Sequence, residues 1–226
     1  MIGREFASYF IDLCGLQPDD RVLDVGCGVG RMAVPLTEYL NPQGTYEGFD
    51  IVETGIKWCQ DFITPQYPNF HFQLADIYNK SYNPTGRYSA SNYQFPYPKK
   101  NFNFVFLTSV LTHILPEELE NYFSEIARVL KVGGRALLTL YLLNEESRAL
   151  IESAQSNIAF NYQFDQYRTI SKEVPESAVA YEEEFVLQQC EKFGLTVKQP
   201  IYYGSWCGRS EFLSAQDILL VSRESV

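Results

Sequence analysis

The run Arg21-Val22-Leu23-Asp24-Val25, followed at once by Gly26, Gly28 and Gly30, constrains this chain more than any other segment. A short apolar run ending in glycines suits a strand buried on both faces of a parallel sheet. Glycines at its end let the backbone turn into a helix, approach a ligand without Cβ interference and present amide N–H groups to it.

The same rhythm recurs along the chain. Phe6, Phe10, Leu13 and Cys14 predict a leading amphipathic helix over residues 3–14. A helix from near Gly30 carries Met32, Leu36 and Leu40, with Pro35 tolerable only close to its first turn. Strands are expected over 45–51, 69–77, 102–110 and 135–142, and helices over 56–62, 116–130 and 182–193. Pro116-Glu117-Glu118 is a favourable helix start, through proline at the first position and carboxylates near the positive end of the dipole. Two last strands, 195–204 and 216–224, have no helix between them and predict an antiparallel edge hairpin. The expectation is a single α/β domain over 1–226, a Rossmann-like doubly wound sheet with right-handed crossovers and helices on both faces. Two segments interrupt the economy of the pattern, a Tyr- and Asn-rich insertion at about 78–95 and a stretch at about 144–180. Both are longer than ordinary connections and are expected on the substrate side.

The formal net charge of −10 opposes binding to a phosphate backbone, so no nucleic-acid partner is expected. No apolar run reaches membrane-spanning length and the first residues lack a signal-peptide core, which predicts a cytoplasmic protein with no membrane partner. The five cysteines are scattered without a CxxC pair, so neither disulfides nor a metal site is expected.

In a doubly wound sheet, ligands bind beyond the carboxyl ends of the strands. A dinucleotide fingerprint would need glycine at position 31, where Arg31 stands, which weakens an NAD reading. Asp24 suits a cationic amino group better than a pyrophosphate. Asp50, twenty residues after Gly30, can accept hydrogen bonds from ribose hydroxyls, with Ile51 packing on a base. Asp76 can accept from an adenine amino group while the Ile77 amide donates to a ring nitrogen. Each aspartate alone is an ordinary turn or cap residue; three at the ends of three successive strands describe a nucleoside pocket with a cationic neighbour.

These motifs resemble the class I S-adenosylmethionine-dependent methyltransferases of the small-molecule type over nearly the whole chain. VLDVGCGVGR is similar to that family's first motif, GFD to its ribose position and LADI to its adenine position. FNFVFLTSVLTHILPEELENYFSEIARVLKVGGRALLTL resembles its block from strand four through strand five. The resemblance implies sheet order 3-2-1-4-5-7-6 with strand 7 antiparallel. It also implies a cofactor site at Gly26, Gly28, Asp50, Asp76 and Ile77, with Leu107 and Thr108 nearby. The enzyme would then transfer a methyl group from S-adenosylmethionine to an oxygen or nitrogen of a small molecule, as a monomer or homodimer. The long insertion departs from the family pattern and bears on the acceptor.

In-line displacement at an activated sulfonium needs alignment and exclusion of water more than a base. His113 is a candidate base for a hydroxyl acceptor, or else a residue bridging strand and helix. Arg31 can reach a carboxylate or lie exposed on its helix. Tyr88, Tyr93 and Tyr141 can stack on a substrate or shield a sulfonium. Trp206 and Arg209 are expected to stabilise a turn. The alternatives from other classes are an NAD-dependent oxidoreductase and a catalytically silent nucleoside-binding or interaction domain.

Overall fold

The computed structural model describes residues 2–224. In chain order the elements begin with α1 (Ile2–Asp12), β1 (Arg21–Val25), α2 (Ala33–Leu36), β2 (Thr45–Asp50), α3 (Glu53–Phe62), β3 (Phe70–Leu74) and β4 (Phe102–Leu107). They continue with α4 (Pro116–Val129), β5 (Leu130–Leu140), β6 (Leu142–Leu143), α5 (Glu145–Glu152), β7 (Tyr162–Gln163), β8 (Tyr167–Thr169) and β9 (Val179–Glu182). The last are α6 (Glu183–Lys192), β10 (Leu195–Tyr202) and β11 (Asp217–Arg223).

Seven strands form one sheet in the order β10-β11-β5-β4-β1-β2-β3. β1, β2, β3, β4 and β5 run parallel, and β11 is antiparallel to both β5 and β10. This is the expected 3-2-1-4-5-7-6 arrangement, with the final hairpin closing the edge. β1 and β4 lie inside the sheet, and Val22, Leu23, Phe104, Val105 and Phe106 are fully buried. One face is covered by α1, whose Phe10 stacks on Phe106 with ring centres 4.4 Å apart. The other is covered by α4 through Leu119, Phe123 and Ile126.

The helix after the glycine loop is shorter than its apolar spacing implies, four residues flanked by turns. Pro35 has no N–H, so the Arg31 carbonyl is left without its helical donor. That carbonyl faces α1 instead, and a Cβ on Gly3 would lie 2.2 Å from it. A glycine in α1 therefore lets the first helix sit directly on the turn that carries Arg31.

The segment 144–180 holds α5 and most of a second sheet, order β6-β9-β8-β7. The hairpin loop beyond β10 is pinned to the start of β11 and to β6 by a buried polar network. Asp217, fully buried, accepts from the Leu142 and Gly204 N–H groups at 2.7 and 2.6 Å, from Trp206 Nε1 at 2.8 Å and from Arg209 at 3.3 Å. Burial still pushes its carboxyl up to about 6 against those donors. Arg209 also donates to Glu146 and Asn144, so Trp206 and Arg209 hold the loop. Asp217→Ala leaves three buried donors without their acceptor and removes one partner of the buried Arg209 guanidinium. It should cost about 3–5 kcal/mol in a urea titration, and an unchanged midpoint would show that the network does not hold the hairpin.

Candidate active site

The glycine turn at the end of β1 is shaped by contact with the turn after β4. Gly26 has φ +84, and a Cβ there would lie 2.2 Å from Val110 Cγ2. Only glycine accepts both the left-handed backbone and that neighbour. The turn is then fastened to β2 by Asp50, whose Oδ2 accepts the Gly28 N–H at 2.7 Å and whose Oδ1 accepts the Val52 N–H at 2.8 Å. Each carboxylate oxygen keeps a further lone pair for a ligand hydroxyl.

These loops open onto a cavity of about 350 Å³, within the range of small-molecule sites. Of the residues singled out in the sequence, Gly26, Gly28, Arg31, Asp50, Ile51, Ile77, Thr108 and His113 line it. The Ile77 N–H has no hydrogen-bond partner among the described residues, while its carbonyl accepts from Asn83 at 2.9 Å. His113 Nδ1 lies 3.0 Å from the Glu176 carbonyl oxygen. Because a carbonyl only accepts, Nδ1 carries a proton, which in the neutral imidazole leaves Nε2 as the acceptor.

The other candidates stand elsewhere. Gly30 packs toward Cys59 and Ile63, and Leu107 is fully buried in the core. Tyr141 packs with Phe160 and Trp206, and its hydroxyl accepts from Gln216. Tyr93 lies between Phe49 and Tyr88, and Tyr88 is exposed beneath the Arg87 guanidinium. None of these five lines the cavity, nor do Asp24 and Asp76.

Asp76 is occupied by the insertion. Arg87 Nε and the Arg87 N–H both donate to its carboxylate, and the paired guanidinium holds the carboxyl below its ordinary range. The insertion is also fixed along the chain edge, where Tyr88 N–H donates to the Asp76 carbonyl and Tyr78 N–H to the Tyr88 carbonyl.

Asp24 is fully buried under the glycine turn. Its Oδ2 accepts from the Tyr46 hydroxyl, and its Oδ1 is buried with no partner among the described residues. Burial, with the Asp50 charge adding to it, outweighs the Tyr46 bond and pushes its carboxyl up to about 8. Burial therefore favours the neutral acid over the carboxylate expected to face a cation.

The sequence pattern did not point to Tyr78, Asn79, Tyr82, Ser109, Val110, Ile114, Glu118 or Tyr122, which also line the cavity. Ser109, two residues beyond β4, has φ +60, a backbone that a non-glycine residue adopts at a cost and that recurs at functional sites. Its N–H is held by Thr139 and its hydroxyl by Gln216. Glu118 reads in sequence as a helix-start residue, and it does accept the Leu115 N–H at 2.7 Å.

A family model described as a methyltransferase domain matches residues 22–134, half of the chain. The chain belongs to that family, and its fold is that of the class I S-adenosylmethionine-dependent methyltransferases. It is 26% identical over 161 residues to the ubiquinone/menaquinone biosynthesis C-methyltransferase UbiE of Teredinibacter turnerae, covering 71% of this chain and 57% of that protein. It is 27% identical over 130 residues to a tRNA N(3)-cytidine methyltransferase of Gallus gallus, covering 58% of this chain and 32% of that one. The chain thus spans about a third to little more than half of these relatives. Among solved structures it resembles the PH0226 protein of Pyrococcus horikoshii OT3, with a TM-score of 0.65 and 17% identity over 98% of this chain and 89% of that one. It also resembles magnesium protoporphyrin IX methyltransferase of Synechocystis PCC 6803 with bound SAH, with a TM-score of 0.61 and 17% identity over 99% and 84%.

The buried Asp24 yields a pH signature. The unfolded chain loses this proton near pH 3.9, whereas the folded chain keeps it to about pH 8. Between those values the folded state binds the extra proton, so the contribution of Asp24 to stability falls as pH rises, by up to about 1.4 kcal/mol per unit. Asp24→Asn should therefore gain stability relative to the parent between pH 5 and 8 in parallel urea titrations; a constant difference would mean that Asp24 is ionised in the fold.

Proposed function

We propose that this chain transfers a methyl group from S-adenosylmethionine to an oxygen or nitrogen of a small-molecule acceptor by in-line displacement. The observation that carries the reading is the convergence, on one cavity, of the glycine turn, the Asp50 carboxylate, Ile51 and the unpaired Ile77 N–H. That set has acceptors for ribose hydroxyls, apolar surface for a base and a donor for a ring nitrogen, so the residues fit the cofactor. Bound there, S-adenosylmethionine would supply a methyl group already activated by its sulfonium.

The chain's own part is to bind, orient and exclude water. Asp50 keeps the glycine turn closed while offering its remaining lone pairs. Arg31, at the start of the turn into α2, is placed to meet a carboxylate at the cavity wall. Ile114 and the ring of Tyr122 add apolar surface to the wall. His113 Nε2 is oriented to accept a proton from an acceptor hydroxyl, its tautomer fixed from behind by Glu176. A small acceptor is favoured over nucleic acid because the chain carries a net charge of −10 and offers no basic run to a phosphate backbone.

Calorimetric titration with S-adenosylmethionine tests the cofactor assignment. Asp50→Ala should weaken binding by about 1.5–3 kcal/mol, with thermal melts confirming that the variant folds. Equal affinity in parent and variant would remove the ribose assignment, and no binding by the parent would remove the reading altogether. For a hydroxyl acceptor, His113→Gln should lower kcat by about a hundredfold or more while cofactor affinity holds; an unaltered kcat would leave His113 a bridging residue.

A further inference from the structure

The cavity wall draws on two sets of elements: Gly26, Gly28, Asp50 and Ile51 come from the turn after β1 and the end of β2, and Asn79, Tyr82, His113, Ile114, Glu118 and Tyr122 from the insertion, the segment after β4 and α4. Resting on the reading of the first set as the cofactor end, we infer that the second set forms the acceptor subsite. It selects a phosphate-free amine or hydroxyl compound with an aromatic or apolar body.

The inference follows from which polar atoms remain free. Asn79 is spent: its Nδ2 donates to the His113 carbonyl, and its Oδ1 accepts from the Ser81 and Tyr82 N–H groups. Glu118 uses Oε2 on the Leu115 N–H, leaving Oε1 without a partner among the described residues. His113 uses Nδ1 on the Glu176 carbonyl and presents Nε2 as an acceptor. The Tyr122 hydroxyl has no hydrogen-bond partner among the described residues, and its side chain is almost wholly buried beside the cavity. The free set is thus two acceptors and one phenol, which a ligand N–H or O–H satisfies. The ring of Tyr82 stands edge-on to His113 at 5.4 Å, adding aromatic surface for a planar body.

A phosphate has only acceptors to offer when fully ionised and would meet the Glu118 carboxyl. Burial, with Glu176 and Glu117 adding to it, raises the Glu118 carboxyl, so the surroundings already oppose a further negative charge there. Among the described residues Arg31 is the only Lys or Arg on the wall, and it follows the glycine turn in sequence. With Glu118 ionised, like charges at hydrogen-bonding range under the effective dielectric of a protein disfavour binding by roughly a hundredfold or more.

The test is binding to the full chain saturated with S-adenosylhomocysteine, using tyramine and catechol against phosphoethanolamine and a tRNA transcript. Tyramine or catechol should bind at least tenfold more tightly than either phosphorylated probe. Glu118→Gln, which retains an acceptor for the Leu115 N–H, should weaken tyramine at least tenfold and change S-adenosylhomocysteine affinity less than twofold. Tyr122→Phe, which removes only the hydroxyl, should weaken catechol severalfold. Preference for a phosphorylated probe, binding of neither class, or tyramine affinity unmoved by Glu118→Gln would overturn the subsite. Failure of the parent to bind S-adenosylhomocysteine would instead overturn the cofactor reading on which it rests.

Discussion

The Asp50 carboxylate, held by the Gly28 and Val52 N–H groups, is the interaction on which the site depends. It ties the turn after β1 to the end of β2, so two separate loops become one wall. A carboxylate accepting backbone N–H bonds is among the stronger arrangements available to a protein, worth about twice a neutral pair. Gly26 makes the matching join on the other side, since its missing Cβ is where Val110 sits. Three strand ends are thereby locked together before any ligand arrives, which is the preorganisation a displacement reaction needs from its scaffold.

The insertion after β3 has been built into this frame. Its Asn83 and Tyr88 bond to the backbone of Asp76, Ile77 and Tyr78, and Asn121 of α4 donates to the carbonyls of Ala90 and Tyr93. The segment is therefore cavity wall as well as surface loop. The Arg87 pair with Asp76 is exposed, and an exposed pair of this kind contributes little to stability. Its weight lies in placement: it puts a guanidinium against the carboxylate that the sequence motif assigns to an adenine amino group.

The sheet was legible because its evidence is periodic and long. β1, β4, β5 and β11 carry runs of buried residues and β3 opens on an alternation at Phe70 and Phe72, while Gly26, Asp50 and Asp76 mark where strands end. The second sheet was not, since β6 and β7 are two residues each and carry no period to read. The short α2 was missed for a related reason. The spacing of Met32, Leu36 and Leu40 describes one buried face, and turns deliver that face as well as a helix does once Pro35 interrupts the ladder. At the site, the glycines and Asp50 were visible from local motifs, whereas Glu118 and Tyr122 become wall residues only because α4 packs under the insertion. Nothing local distinguishes Glu118 from an ordinary helix-start acid.

Asp24 shows where local reasoning about charge fails. Read along the chain, it is a carboxylate beside a ligand loop; in the fold it is buried behind that loop and bonded to Tyr46, where burial favours the neutral acid. The carboxylate that lines the cavity with the glycine turn is then Asp50, whose lone pairs are already committed in part to backbone. Among the described residues the acids of the cavity wall are consequently Asp50 at the end of β2 and Glu118 on α4, and Arg31 lines the same cavity. An amphoteric cofactor against Asp50 and Arg31 finds both signs, whereas an acceptor against Glu118 and His113 finds carboxylate and imidazole lone pairs. That asymmetry comes from which acids the fold buries, and it ties the choice of acceptor to the packing of α4 rather than to the motif that binds the cofactor.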